Sequence, residues 1–527
     1  MQRTVSFYVT TPIYYVNAAP HLGHAYTTIA ADVMARHHRQ RGEEVFFLTG
    51  TDEHGEPVAD AAHALGIEPQ ELADRNAERF KALAPQLHAS NDFFIRTTDP
   101  QHEAMVQQVL AKVRENGYVY EGTYEGWYCP RCADFKAENE IGEDRRCPIH
   151  HIGLTREQED NYFFKLSAFQ ERLETLYAER EDFVAPRTRY NEALSFIRSG
   201  LRDVPLTRHK LTWGVQVPWD PDHVFYVWFD ALLNYYTALS YAPAPAEFGA
   251  PDRAPGASTA DATSPADADL TQRFWPATYH LIGKDILRFH AVYWPALLMA
   301  AELELPEHVF VHGFLLMDGE KMSKSLGNVL DPFAVIDRYG PDALRFYLLR
   351  DVPFGQDGSV STASFELRYE SELANELGNL ASRTIAMVHR YREGVPQART
   401  PDRELDDEFA GLADEVRALV DRAELTAALD VIWQRVRRLN RYVEEHAPWQ
   451  LAKDAARADE LDAVLSTLVA GLRVLAVLLH PYIPDSTDKL LAALGCADRT
   501  LAAARWDSTQ ALGEPIGRLE SLFPKSS

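Results

Sequence analysis

The chain is poor in cysteine, has no surplus of positive charge and lacks a long unbroken apolar run, and each shortage removes a class of protein. Four cysteines in 527 residues exclude a disulfide-built scaffold. Three of them, Cys129, Cys132 and Cys147, gather in one stretch, which points to a metal site in a reducing compartment. Lys and Arg number 53 against 78 Asp and Glu, a net charge of -25. Such a chain is no general polyanion binder, so any nucleic-acid contact has to be a local basic patch. Pro12, Asn17 and Pro20 interrupt the N-terminal apolar stretch, and Asp462 and Arg473 lie inside the stretch from Leu461 to Leu479. Neither a signal segment nor a membrane span is therefore expected, and the expected location is cytoplasmic with no membrane partner.

The length suggests three or four domains. Val5 to Thr10 reads as a strand, His21 to Arg41 as a helix and Glu44 to Thr49 as a second strand, a βαβ unit of nucleotide-binding type. A second unit is predicted from the strand Tyr279 to Gly283, the helix Asp285 to Ala301 and the strand His308 to Phe314. Between them the segment 242–269, rich in Ala, Pro, Gly, Ser and Asp, reads as a disordered surface loop. Beyond Asp357 the periodicity turns helical: Phe409, Leu412, Val416, Leu419 and Val420 share one face, as do Leu425, Leu429, Ile432, Val436 and Leu439.

Two separated motifs suit phosphate chemistry. His21-Leu22-Gly23-His24 opens a helix after a strand, where imidazoles and free N–H groups can meet phosphate oxygens and Gly23 admits the nucleotide to the backbone. Lys321-Met322-Ser323-Lys324-Ser325 is a polar loop whose ammonium groups can neutralise a departing pyrophosphate. Asp52 follows the second strand and so falls at the carboxyl edge of the sheet, where ligands of doubly wound folds bind. Cys129-Pro130-Arg131-Cys132 and Cys147-Pro148-Ile149-His150 have the C-x2-C and C-x2-H spacing of a closed, structural tetrahedral zinc site. His151 is an alternative fourth ligand, with His150 favoured because its spacing mirrors the first pair.

The two phosphate motifs resemble the HIGH and KMSKS elements of class I aminoacyl-tRNA synthetases, and their surroundings resemble the methionyl-tRNA synthetase family over nearly the whole chain. The resemblance implies an α/β fold: a Rossmann-type doubly wound parallel sheet split by a zinc-knuckle insertion, then an all-α anticodon-binding bundle. It implies catalytic halves at 1–116 and 208–320, the insertion at 117–207, a KMSKS stem-contact region at 321–360 and the anticodon domain at 361–527. The implied activity is ATP-dependent formation of methionyl-adenylate, then transfer of methionine to the 3'-terminal adenosine of initiator and elongator tRNA(Met). Mg2+ accompanies ATP, Zn2+ is structural, and the chain is expected to be a monomer.

Residue by residue, the family motifs put His21, His24, Lys321, Lys324 and Arg208 in the catalytic set, with Gly23, Asp285 and Ser323 joining them on ATP. Asp52 would meet the methionine α-amino group. Ile13, Tyr15, Trp228, Ala231, Leu232 and Tyr235 would line the side-chain pocket together with Ile286, His290 and Trp294. Asn375, Asn379 and Arg383, with Pro448 and Trp449, would meet the anticodon, and Arg435, Arg438 and Arg441 form a basic stripe suited to tRNA phosphates. Two rivals carry different signatures. A silent RNA-binding relative should have lost His21, His24 or Lys324, and a nucleotidyltransferase acting on a small metabolite needs no anticodon domain.

Overall fold

The computed structural model describes residues 6–129, 134–136, 141, 144–147, 151–209, 211–245, 269–317, 330–507 and 512–525. Cys132, His150, Lys321, Ser323 and Lys324, and nearly all of the predicted loop 242–269, lie outside them.

Strands β1 (Ser6–Tyr15), β2 (Glu44–Asp52), β3 (Phe93–Arg96), β4 (Val184–Ala185), β5 (Tyr279–Gly283) and β6 (His308–His312) form one sheet in the order β3-β2-β1-β5-β6-β4. Every neighbouring pair is parallel. Phe7 to Thr11 are buried, as a central strand covered on both faces requires. Pro12 has no N–H for the ladder, and the β1–β2 register shifts between Thr10 and Ile13, which re-aims Ile13 and Tyr15 opposite Gly50 and Asp52. From β1 the chain winds outward through β2 to β3, and β5 and β6 lie on the other side of β1. The order therefore reverses between β1 and β5, leaving a crevice at their carboxyl ends.

Both predicted βαβ units are present. In the first, helix α1 (Leu22–Gln40) joins β1 to β2. In the second, the predicted single helix from Asp285 to Ala301 is three pieces: a 3-10 turn Lys284–Ile286, a π-helical stretch Phe289–Tyr293 and a helix Trp294–Ala301. The sixth strand ends at His312, and the chain pairs again at Leu315–Met317 beside Gly358–Val360. Between the two units, Val119–Cys129 and Thr155–Phe164 make a long antiparallel hairpin flanked by Asp134–Lys136 and Val204–Pro205.

The remainder is helical. Asn379–Arg392, Leu425–His446 and Ala458–Leu479 pack around one apolar core that continues under α1. Among the described residues, Ala455–Leu479 is the one segment long and apolar enough to cross a membrane, but 89% of its most apolar window is buried inside the chain. Arg345 joins the helices to the sheet. Fully buried, it pairs with Asp32 of α1 at 2.7 Å and donates to the carbonyls of Leu87, Pro481 and Tyr482. These bonds satisfy a charge pair that would otherwise be costly to bury.

Candidate active site at the sheet crevice

His21 caps α1. Its Nδ1 accepts the N–H of Gly23 at 3.1 Å, while Nδ1 of His24 accepts the N–H of His21 at 3.0 Å, a reciprocal capping box with the rings stacked 3.7 Å apart. A Cβ on Gly23 would stand 3.0 Å from the His21 ring, so glycine is what lets the imidazole fold back over the helix start. Burial holds both imidazoles below their ordinary range. His24, further disfavoured as a cation by His21, falls to about 3. Neutral rings that accept at Nδ1 carry their proton on Nε2, so two N–H donors stand at the positive end of a helix.

Asp52 ends β2 beside Tyr15 of β1. Burial pushes its carboxyl well up, and the nearby charges of Asp230 and Glu53 push it further. The Asp52 carboxyl faces the Tyr15 hydroxyl and the His54 backbone N–H, and the buried Trp228 indole nitrogen has no hydrogen-bond partner among the described residues. The Tyr15 and Trp228 rings meet edge to face at 6.3 Å, and Trp228 stacks on Phe289 at 3.7 Å. Ile13, Leu232, Tyr235, Ile286 and Trp294 belong to the same apolar cluster, and Ala231 is buried on the same helix. His290 bonds through Nε2 to the Tyr235 hydroxyl at 2.7 Å and through Nδ1 to the Ile286 carbonyl at 3.1 Å. Asp52 and the aromatic set thus meet at the end of β1, and the histidine motif packs on the same strand end, its His24 ring 4.5 Å from Tyr14.

Two expected residues are placed differently from one another. Asp285 is exposed on the turn after β5, with Oδ1 folded back over Gly283, where a Cβ would come within 2.6 Å of it. Arg208 is buried in the hairpin wall: its Nε donates to Glu159 at 3.0 Å and its guanidinium lies over Tyr128 at 4.5 Å. It borders a cleft of about 490 Å3 shared with Glu56, Asp60, Arg156 and Glu157.

Several residues of the crevice carried no sequence signal. His280 on β5 takes the Trp294 indole N–H at 3.1 Å and bonds Thr10 at 2.8 Å. His312 at the end of β6 bonds Thr27 of α1 at 2.7 Å. Lys284 pairs with Asp357 at 2.6 Å and lies over Phe314. Each is an isolated polar residue in an apolar or loop segment, and only the fold gives it a partner.

Cys129 and Cys147 are buried thiols in one small cluster with Leu154, apart from the main cores. At the far end, Asn375, Asn379 and Arg383 are exposed, and the Arg383 guanidinium lies 5.9 Å over Trp449, with Pro448 buried beside it. The basic stripe is largely consumed within the chain. Arg438 pairs with Glu404, Glu408 and Glu445, and Arg435 with Glu415 and the Glu408 carbonyl.

Comparison with known proteins identifies the family. The family model described as tRNA synthetases class I (M) matches residues 7–157 and 143–385, and the one described as anticodon binding domain of methionyl tRNA ligase matches 396–525. The methionine–tRNA ligase of Caldanaerobacter subterraneus subsp. tengcongensis is 42% identical over 533 residues, covering 100% of this chain and 79% of that protein. That of Synechocystis is 42% identical over 522 residues, covering 98% and 94%. The crystal structure of Mycobacterium tuberculosis methionyl-tRNA synthetase bound by methionyl-adenylate superposes with a TM-score of 0.90 at 41% identity, covering 98% of this chain and 100% of that one. The two family models together span most of the sequence, and on that ground the chain belongs to the methionine–tRNA ligases, a family of class I aminoacyl-tRNA synthetases.

Proposed function

We propose that the chain condenses L-methionine with ATP to methionyl-adenylate and pyrophosphate, then passes the methionyl group to the 3'-terminal adenosine of tRNA(Met). One observation carries the reading: at the sheet crevice, the buried carboxyl of Asp52 adjoins an aromatic pocket, and the same edge bears two imidazole N–H donors at a helix start.

The substrate carboxylate is ionised at neutral pH and attacks the α-phosphorus without a general base, so the enzyme's work is orientation and charge stabilisation. Asp52 holds the methionine ammonium. Tyr15, Trp228 and the groups around Tyr235 and His290 enclose the thioether chain, a flexible apolar group suited to aromatic contact. The Nε2–H groups of His21 and His24 and the α1 N-terminus bind phosphate oxygens, with Gly23 admitting the nucleotide and Asp285 on the adenosine side. Mg2+ accompanies ATP. Lys321, Ser323 and Lys324 follow in sequence from β6 and act on the leaving pyrophosphate, and Arg208 orients substrate from the hairpin wall.

The buried thiols Cys129 and Cys147 fit one half of a zinc site that Cys132 and His150 complete. A closed thiolate and imidazole set supplies folding energy and leaves the metal no catalytic position. Exposed Asn375, Asn379 and Arg383, with Trp449 and Pro448, read the anticodon by hydrogen bonds and stacking. The same reading keeps catalytic halves at 1–116 and 208–320, the insertion at 117–207, the stem contact at 321–360 and the anticodon domain at 361–527, in the cytoplasm, where the cysteines stay reduced.

The test is aminoacylation of a tRNA bearing the CAU anticodon against one with that triplet replaced. Charging with methionine should be lost or strongly reduced on replacement, and equal charging of both would overturn the anticodon assignment.

A further inference from the structure

Asp52 is the last residue of β2, and its neighbours on either side are engaged. Before it, Thr51 donates to Glu53 at 2.6 Å. After it, the buried Glu53 carboxylate takes Arg96 through both oxygens at 2.8 Å and Thr98 at 2.5 Å. The Glu53 carbonyl accepts the Trp213 indole N–H at 2.7 Å. His54 turns the other way, its Nδ1 2.7 Å from Asp230 Oδ2. Asp230 Oδ1 is 2.7 Å from Nε2 of His102, whose Nδ1 is 2.7 Å from the Thr237 hydroxyl. All three are buried.

These residues join three distant elements: the loop after β2, the helix Pro100–Glu115 and the helix Val227–Thr237. The last is also the helix that carries Trp228, Ala231, Leu232 and Tyr235. Asp230 is thus bonded to the loop that directly follows the ammonium-binding carboxylate and shares a helix with the side-chain pocket. Burial alone would push the Asp230 carboxyl up, but His54 and His102 outweigh it and keep the group charged. A buried charged cluster of this kind adds little stability over well-packed apolar side chains, which leaves registry of the parts it joins as its physical use.

We propose that His54, Asp230 and His102 are positioning residues for amino-acid recognition, locking the end of β2 and the Glu53–Gly55 loop after it to the pocket helix so that the Asp52 carboxylate meets the substrate ammonium. The inference rests on the assignment of Asp52 to that ammonium. None of the three touches substrate. They act through Asp52, and the nucleotide side of the crevice is independent of them.

Methionine-dependent ATP–pyrophosphate exchange on the full chain tests this, with KM for methionine and for ATP measured separately. Asp230→Asn and His54→Ala should raise the methionine KM about tenfold or more and leave the ATP KM within about twofold. His54→Asn, whose amide nitrogen reproduces the Nδ1 donor, should recover most of the loss, and His102→Gln, whose amide nitrogen replaces Nε2, should do the same relative to His102→Ala. These conservative pairs keep the test valid if Asp230→Asn does not fold. Unchanged methionine KM, a parallel rise in both KM values, or no recovery by His54→Asn would overturn the proposal. Asp52→Asn separates the two readings. If it raises the methionine KM while the positioning variants do not, only this inference fails, and if it has no effect the assignment of Asp52 itself is wrong.

Discussion

Nδ1 of His24 accepts the backbone N–H of His21 at 3.0 Å, and Nδ1 of His21 accepts that of Gly23 at 3.1 Å, so the helix start fixes the tautomer of both histidines before any nucleotide arrives. Each presents Nε2–H from a preorganised helix start and needs no protonation to bind phosphate. His24→Asn keeps an acceptor near the Nδ1 position and deletes the Nε2 donor. It should lower kcat for pyrophosphate exchange by about 10^2–10^3-fold, the usual cost of one oxyanion donor, with the methionine KM within about twofold. A variant with wild-type kcat and lowered melting temperature would make the pair a helix cap and nothing more.

Buried neutral histidines should make the fold acid-sensitive. Burial holds His24 and His37 to about 3 and His290 and His312 to about 4, against 6.5 in the unfolded chain. Folded values below unfolded ones mean that their contribution to stability is present above pH 6.5 and is lost as pH falls toward 3–4. At pH 5 these four imidazoles are protonated almost only when unfolded, so urea unfolding should take up about four protons on their account. His37→Gln should reduce the measured uptake by about one proton, and an unchanged uptake would mean that His37 is charged in the folded state.

Recognition of tRNA should be separable from activation. Trp449→Ala removes a stacking surface whose usual worth is about 1–3 kcal/mol, so kcat/KM for tRNA charging should fall by roughly 5- to 150-fold while pyrophosphate exchange stays at the wild-type rate. Equal losses in both assays would place Trp449 in the structural core instead. Arg438→Ala should have little selective effect on tRNA, because its charge is already taken by Glu404, Glu408 and Glu445.

The zinc assignment predicts one metal ion per chain by elemental analysis, and its loss in Cys147→Ala together with a lower melting temperature. Metal-free protein of undiminished stability would refute it.

Local signals in the sequence reached far into the fold. The succession of apolar strand, helix and apolar strand located α1 and β2 to within three residues and the strand from Tyr279 to Gly283 to the residue, whereas β1 runs five residues past the predicted end at Thr10. The histidine motif and Asp52 were legible because each sits beside a strand end, where position in a βαβ unit already implies the ligand edge. What was not legible depends on partners remote in sequence. The i, i+3 spacing of Arg435 and Arg438 reports that they share a face, not that Glu404 and Glu408 cover it. The His54–Asp230 bond joins residues 176 apart, and His102 contacts Asp230 from 128 residues away, separations at which no periodicity or motif survives. The break in the helix after Asp285 had a local signal that the single-helix reading passed over: Pro295 lacks the N–H to continue the preceding turn, and it stands at the start of the helix Trp294–Ala301, directly after the π-helical stretch.

The most direct test is ATP–pyrophosphate exchange run with each of the twenty amino acids in turn. The account predicts that L-methionine alone supports rapid exchange, and that Asp52→Asn raises the methionine KM without changing which amino acid is preferred. Faster exchange with any other amino acid would contradict it.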